Sequence, residues 1–461
     1  MTEQREAQID APEDEFQLSQ RDLDSINKAI DEGDGPALDA LMEPMHAADI
    51  ADLIEQLTAP RRRSFIDLYS GEIDGDILTE IDESIREEVI EQLPREVLAE
   101  AVREMDSDDV VDLIEDMEAP EQQAILAALD ESDRVAIEQS LTYPEYSAGR
   151  LMQSEVVTAP EHWTVGETID FLRQEDWLPD QFYHVVLVDP RRHPAGYVTL
   201  GKLLSSRRNV PLREIVEDSF RTISVRQDEG DVAHVFNKYH LISAPVVDEH
   251  DRLVGVITID DAMSVLDEEH EEDILRLAGV GDDSSISDTI VETTRQRVPW
   301  LAANIVTSLI AASVIALFEE TIARLVALAV LMPIVASMGG NAGTQTLTVA
   351  VRGLATKSLT RANTVRIVRR EMSVGLVNGV IFGLAMGGVT FLWFHDIRLS
   401  LVIGMAMIVN LFVAALGGIL VPLGLDKVGA DPALASGTFV TTVTDVVGFF
   451  TFLGLATLVL L

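Results

Sequence analysis

The sequence predicts a multidomain membrane protein with three parts: an all-α superhelical N-terminal domain, a tandem pair of α/β modules, and a five-helix transmembrane domain. Three observations predict this. Five long apolar runs follow residue 297, amphipathic helical segments of similar cadence fill residues 20–140, and two similar strand–helix–strand–turn–strand–helix units occupy residues 141–266.

The apolar runs lie at about Val298–Phe318, Ile322–Val349, Met372–Phe394, Leu399–Leu423 and Pro432–Leu461. Each reaches the roughly 20 residues that a helix needs to cross the hydrocarbon core. Glycine-rich words such as GLAMGG and LGGI suit close helix packing in lipid. Arg352, Lys357, Arg361, Arg366, Arg369 and Arg370 lie between the second and third runs, and Arg295 and Arg297 precede the first. The link between the third and fourth runs holds Arg398 alone, beside Asp396. This bias predicts a multi-pass protein of the cytoplasmic (inner) membrane, with its N-terminus in the cytoplasm and its C-terminus outside.

Charge divides the chain at the same place. Of the 78 Asp and Glu only seven lie after Glu292, and of the 34 Lys and Arg 11 do. The first part therefore carries 71 acids against 23 bases, a net −48, and the remainder +4. An acidic cytoplasmic body repels nucleic acid and anionic lipid and attracts cations. Adaptation to a salty cytoplasm also fits, so a sensing role must rest on particular acids. There is no cysteine, which excludes disulfides, thiolate zinc sites and cysteine nucleophiles. The opening residues MTEQREAQIDAPEDEFQ are acidic without an apolar core, which reads as a disordered tail over 1–19 rather than a signal peptide. No Walker A loop, nucleophile elbow or HExxH word is present, so enzymatic chemistry is not expected.

Ionisable residues inside spans are functional candidates by default. Asp445 sits mid-way along the last run, in TFVTTVTDVVGFF, with no Lys or Arg in that run. A carboxylate there costs roughly 2.5–3.5 kcal/mol on insertion scales. Thr438, Thr441 and Asp445 share one helical face, able to line a wet path. A protonated Asp445 bonded to a neighbouring helix is the alternative. Asn410 in the fourth run is a further pore-lining candidate or an interhelical tie. The second run contains PIVASMGGNAGTQ, where Pro333, Gly339, Gly340 and Gly343 loosen the helix or permit close approach, and Asn341, Thr344 and Gln345 add polarity. Glu319 and Glu320 end the first run on the outer side, where Glu319 is placed to draw cations to an entrance.

In the cytoplasmic half, AADIADLIEQL, GDILTEIDESIREEVIEQL, REVLAEAVREM and SDDVVDLIEDM repeat apolar residues at helical spacing over residues 20–140. Over 141–266 the two repeated units resemble cystathionine-β-synthase-type (CBS) modules, which dimerise and often bind adenine nucleotides. By that resemblance Thr258 and Asp261, in GVITIDD, would reach phosphate and ribose of ATP or a similar nucleotide. The first unit has GYVTLGK, with Lys202 in place of the aspartate. An acidic connecting helix, within 267–297, leads into the membrane.

In order along the chain stand YPEYSAGRLM (143–152), LVGVITIDDAM (253–263), EEDILRLAGV (271–280), PIVASMGGNAGTQ (333–345), DPALASG and TTVTDVVG (within 431–448). By these words the chain resembles the MgtE family of magnesium channels, over roughly residues 20–461. The resemblance implies a homodimer in membrane lipid with its pore on the two-fold axis. Asp445 falls on the family's pore carboxylate, with Thr441 and the backbone at Gly437 beside it. Some members have Asn where this chain has Gly437, and Pro is common where it has Thr438. Two carboxylates holding one hydrated Mg²⁺ suits an ion that gives up water reluctantly. The family's Mg²⁺-bridging acids fall on Asp76, Asp108 and Asp112, on Asp228 and Asp261, and on Glu269, Glu272 and Asp273. His240 stands where an acid is frequent. The implied mechanism is gating: at high intracellular Mg²⁺ the ions bridge these acids and hold the pore shut. A transporter of another divalent ion, Co²⁺ or Mn²⁺, is the competing expectation, since oxygen ligands accept Mn²⁺ as well.

Overall fold

The structure, a computed structural model, describes residues 20–461 apart from 116, 118, 176, 180, 218, 219, 281–283, 285–288 and 430. The expected tail over 1–19 lies outside the described residues. The chain forms two compact units, divided between Asp267 and Glu268.

The first unit opens with a stack of short helices: α1 (Gln20–Glu32), α2 (Gly35–Met42), α3 (Ala47–Gln56), α4 (Ala59–Tyr69), α5 (Gly75–Glu80), α6 (Glu83–Gln92), α7 (Arg95–Glu104), α8 (Ser107–Glu115), α9 (Ala119–Leu126) and α10 (Glu131–Ser140). Side-chain caps set several of the starts. Asp34 and Asp74 accept from the backbone of α2 and α5, and His46 with Asp49 forms a reciprocal cap on α3. Ile54, Phe65, Ile66, Leu78 and Val89 stack into one core, and Val102, Val111, Ile114 and Ile137 into the next. Arg62 is buried and staples consecutive turns: Nε donates to Ile54 O (3.0 Å), Nη2 to Leu57 O (3.2 Å), and Nη1 pairs with Glu88 (2.7 Å).

The repeated units each build a three-stranded sheet, as the sequence predicts. The first contains β1 (Thr158–Pro160), α11 (Val165–Leu172), β2 (His184–Val188), β3 (Pro194–Thr199) and α12 (Leu200–Ser205). The second contains β4 (Ile223–Ser224), α13 (Glu229–Tyr239), β5 (Ser243–Val247), β6 (Leu253–Thr258) and α14 (Ile259–Ala278). In both, the first strand pairs parallel with the second and the second antiparallel with the third. Both carry a register shift at the matching place, Leu187/Val188 and Val246/Val247. The segment before β1 crosses to the second module, where Gln153 and Val256 exchange backbone hydrogen bonds of 2.9 and 3.0 Å. Arg150 of the SAGRLM word fixes that crossing. Its Nε donates to Tyr143 O (3.1 Å), Nη2 to Leu141 O (3.0 Å), and Nη1 pairs with Glu115 of α8 (3.0 Å).

No helix breaker separates β6 from the acidic stretch, so the last helix of the second module continues through DEEHEEDILRLA. The acidic helix therefore begins at Ile259, earlier than the connecting segment read from sequence, and stops at Gly279, whose φ of +72° favours glycine. The second unit then holds α15 (Ile290–Ala316), the short α16 (Glu319–Arg324), α17 (Ala327–Ala355), α18 (Thr364–Phe394), α19 (Ile397–Val428) and α20 (Pro432–Leu460). Five helices, α15 and α17 to α20, are long and apolar enough to cross a membrane. α17 runs unbroken through Pro333 and GGNAG, so its glycines serve close approach rather than an irregular backbone. Backbones approach closely at glycines: a Cβ on Gly418 of α19 would lie 2.6 Å from Gly343 O of α17, and between α18 and α19 a Cβ on Gly383 would lie 2.7 Å from Gly404 O and one on Gly379 2.9 Å from Ile408 Cα.

Candidate ion path and acidic sensor cluster

On α17, Ser337, Asn341, Thr344 and Thr348 recur at helical spacing and are all exposed. On α20, Thr441 is exposed and Asp445 half-buried on the next turn of the same face. The two helices meet beside this face, where Gly340 approaches Thr441. Thr441 donates to Gly437 O (2.9 Å), Thr344 to Gly340 O (3.0 Å) and Thr348 to Thr344 O (3.0 Å). These hydroxyls thus satisfy their own helix and keep lone pairs turned outward. Asp445 has no hydrogen-bond or ion-pair partner among the described residues. Asn341 reaches only Ser337 (3.4 Å). The result is a polar stripe on otherwise apolar helices, with one carboxylate on it.

The other membrane candidates sit elsewhere. Asn410 is fully buried between α17, α19 and α20, wedged against Gly339 and Gly448, and donates to Val335 O (2.8 Å). It ties helices together and does not open onto the polar stripe. Glu319 is exposed at the start of α16, away from Asp445 in sequence and in hydrogen bonding. Glu371, to which sequence reasoning gave no role, is buried in α18 and paired with Arg370 (2.7 Å).

In the first unit, acids of α8 face the start of α14. Asp108, Asp109 and Asp112 come from the former, Asp106 directly precedes it, and Asp260 and Asp261 come from the latter. Burial, then the charges of Asp261, Asp109 and Asp106, raise the Asp108 carboxyl well above its usual range. Burial first, then Asp261 and Asp106, push Asp109 up to about 7. Burial, with Asp260 and Asp106 adding, takes Asp261 to about 6 against the lowering hydrogen bonds from Thr258. A cluster of this kind wants a cation. Arg86 supplies one locally, pairing with Asp112 at 2.5 Å. Of the sequence candidates, the structure thus gathers Asp108, Asp112 and Asp261, and adds Asp106, Asp109 and Asp260. The doubled aspartates in SDDVV and TIDD were the available signal.

The remaining sensor candidates have settings of their own. Asp76 is exposed in the first turn of α5, and Asp228 caps α13, accepting from Asp231 N at 3.2 Å. Glu269 is exposed on α14, while Glu272 pairs with Arg276 (2.8 Å). Asp273 is raised by burial and by Asp431, against Arg276 and His270. Among the described residues, no three His, Asp or Glu are set at metal-ligand spacing. A Mg²⁺ held through retained waters asks for looser spacing.

Thr258 and Asp261 occupy each other: the hydroxyl lies 2.6 Å from Asp261 Oδ2, and Thr258 N donates to the same oxygen (3.2 Å). In the first module Lys202 pairs with Glu217 (3.5 Å) and its backbone N–H donates to Thr199 (3.3 Å).

Stacked acidic helices, paired α/β modules and five helices apolar enough to span a membrane make up a multi-pass membrane protein. Residues 332–455 match the MgtE divalent cation transporter domain, residues 45–146 the MgtE intracellular N domain, and residues 148–209 and 212–268 the CBS domain. The chain is 33% identical over 445 residues to the magnesium transporter MgtE of Thermus thermophilus, covering 95% of this chain and 98% of that one. It is 34% identical over 322 residues to the magnesium transporter MgtE of Enterococcus faecalis, covering 70% and 71%. The chain belongs to the MgtE family of magnesium transporters. A solved cytosolic domain of the Mg²⁺ channel MgtE in complex with ATP matches 52% of this chain and 98% of its own, at 27% identity and a TM-score of 0.48.

Proposed function

We propose that this protein is a Mg²⁺-selective channel for magnesium uptake across the cytoplasmic membrane, working as a homodimer and gated shut by intracellular Mg²⁺. The observation that carries the reading is Asp445, an unpartnered carboxylate within the exposed polar stripe of α17 and α20. An exposed polar stripe at membrane depth needs water or a second polar surface. A second copy related by a two-fold axis supplies both: two stripes enclose a wet path and two Asp445 carboxylates balance one divalent ion. Thr441 and the carbonyl at Gly437 are placed to receive the ion's retained waters rather than to replace them.

The regulatory half of the reading rests on the α8–α14 cluster. Its carboxylates repel one another when ionised, and a divalent ion reverses that repulsion. Asp108, Asp109 and Asp261 are the bridging acids in this scheme, with Asp76, Asp228, Glu269, Glu272 and Asp273 available at further contacts. A state that binds Mg²⁺ more tightly is populated as Mg²⁺ rises. An adenine nucleotide at the second module would have to open the Thr258–Asp261 pair, so nucleotide and cation compete for one carboxylate.

The test is ion flux in proteoliposomes with Mg²⁺ set independently on the cytoplasmic face. Mg²⁺ influx that falls as internal Mg²⁺ rises supports the reading. Mn²⁺ or Co²⁺ flux in preference to Mg²⁺ would favour the other divalent transporter.

A further inference from the structure

A crevice of about 160 Å³ lies between α17, α18 and α19, apart from the polar stripe. Its polar lining is Gln345 and Thr346 from α17 and Glu371 and Asn378 from α18. Glu371 and Thr346 are each only 8% exposed. Glu371 lies about 10 Å along α18 from its cytoplasmic start, and Asn378 about 20 Å, at 1.5 Å per residue. The crevice therefore begins at the arginine-marked end of the apolar run Met372–Phe394 and reaches about 9 Å into it, to Asn378.

Two features are unexplained by packing. Arg370 takes Oε1 of Glu371, at 2.7 and 3.1 Å, while its own side chain is largely exposed. The second carboxylate oxygen has no partner among the described residues. Gln345, Thr346 and Asn378 likewise have no side-chain hydrogen bond among the described residues. A threonine in a helix can bond back to its own turn, as the exposed Thr344 and Thr348 do on the same helix, and Thr346 does not. Thr346 and the second Glu371 oxygen belong to buried residues and are costly to leave uncommitted, while Gln345 is exposed and Asn378 half-buried at the rim of the same crevice.

We propose that this crevice binds a small, partly hydrated monovalent cation, held by Glu371, Gln345, Thr346 and Asn378. The donors are all oxygen, which selects a hard cation. Glu371 is the only acid among the lining residues, and Arg370 already offsets part of its charge, so the little negative charge left suits a monovalent ion rather than a divalent one. The cavity has room for an ion with some of its waters. Asp445 lies outside the lining, so the site is independent of the proposed ion path.

The experiment uses the full-length protein in nanodiscs, free of Mg²⁺, with NaCl replacing choline chloride at constant ionic strength. Na⁺ is expected to raise Tm saturably in the wild type and equally in Asp445→Asn. In Glu371→Gln the half-saturating Na⁺ rises about tenfold or the response disappears, as follows from losing a charge-assisted contact. Thr346→Val removes one donor oxygen at constant shape and carries the test if Glu371→Gln fails to fold. An absent Na⁺ response, an identical response in both variants, or stabilisation by Mg²⁺ but not Na⁺ through Glu371 would each overturn the proposal. Failure of the channel reading shows differently, as wild-type Mg²⁺ flux in Asp445→Asn.

Discussion

Arg276 of α14 and Asp431 at the start of α20 are ion-paired at 2.8 Å, with side chains only 20% and 23% exposed. Asp431 also accepts from Ala433 N (2.7 Å) and so caps the helix that carries Asp445. The next residue, Leu277, packs against Leu347, Val351 and Ala433. The last turn of the acidic helix is thus fastened to the first turn of the candidate pore helix through the Arg276–Asp431 ion pair and the apolar packing of Leu277.

If this fastening transmits closure, Arg276→Gln leaves residual Mg²⁺ current at saturating internal Mg²⁺. Asp431→Asn has the same effect while keeping the cap, because Asn caps as well as Asp. The double variant is no worse than either single one, with a coupling of about 1 kcal/mol for a partly exposed pair. Patch recordings across internal Mg²⁺ read this directly; additive effects in the double variant would show that the two residues act separately.

Asp445→Asn keeps size and hydrogen-bonding capacity and removes the charge. It is expected to abolish selective Mg²⁺ flux with little change in the stability of the detergent-solubilised protein, since the insertion cost of the charge disappears with it. Asp445→Glu keeps the charge and shifts it by one methylene, so flux falls without vanishing. A liposome assay with a fluorescent Mg²⁺ indicator separates the three proteins, and wild-type flux in the Asn variant would remove Asp445 from the ion path.

The α8–α14 cluster makes stability depend on pH. Asp109 at about 7 and Asp261 at about 6 bind protons more tightly folded than unfolded, where the ordinary value is 3.8. Their protonated forms favour the folded state, and this contribution is lost as pH rises through about 6 and about 7. In EDTA, Tm should therefore fall between pH 5.5 and 8. Saturating Mg²⁺ flattens the dependence, because a cation then does what the protons did. Asp109→Asn removes the upper part of the dependence in differential scanning fluorimetry, and an unchanged profile in that variant would refute the assignment.

Gly383→Val forces a side chain into the Gly404 carbonyl, where a Cβ alone would stand at 2.7 Å. Overpacking of this kind costs about 1–3 kcal/mol. The expected result is a lower Tm for Gly383→Val and no change for Gly388→Val, since nothing lies within 4 Å of a Cβ there.

Much of the architecture was legible because its signals are local. Apolar runs, arginine bias and turn words are each read within one stretch of chain, and they gave the five spans and the two α/β modules. The continuous α17 was not legible: Pro333 and GGNAG look like breaks, yet Asn410 and Val440 from distant segments fill the space that Gly339 and Gly343 leave. Asp445 stood out by being alone in its run. Glu371 did not, because it follows four arginines that mark a span end, and only the packing of α17 and α19 around it buries the carboxylate. Asp109 was passed over for its neighbour Asp108 because sequence does not tell which of two adjacent acids the opposing helix will cover. Arg276 was missed for a related reason, since its partner Asp431 is more than 150 positions away.

The backbone contact between α18 and α19 bears on where the membrane domain can yield. Two helices that touch at Gly383 and Gly404 have no side chains between them to change rotamer, so they slide or part only by losing the contact outright. α15 is the opposite case, with just 6% of its apolar window covered within the chain. Compliance is thus unevenly spread: α17, α18 and α19 form a stiff plate, since a Cβ on Gly418 would likewise lie 2.6 Å from Gly343 O, and α20 rests on it. A displacement delivered at Asp431 meets least resistance at the N-terminal end of α20, before the Gly437–Thr441 turn, rather than in the plate behind it.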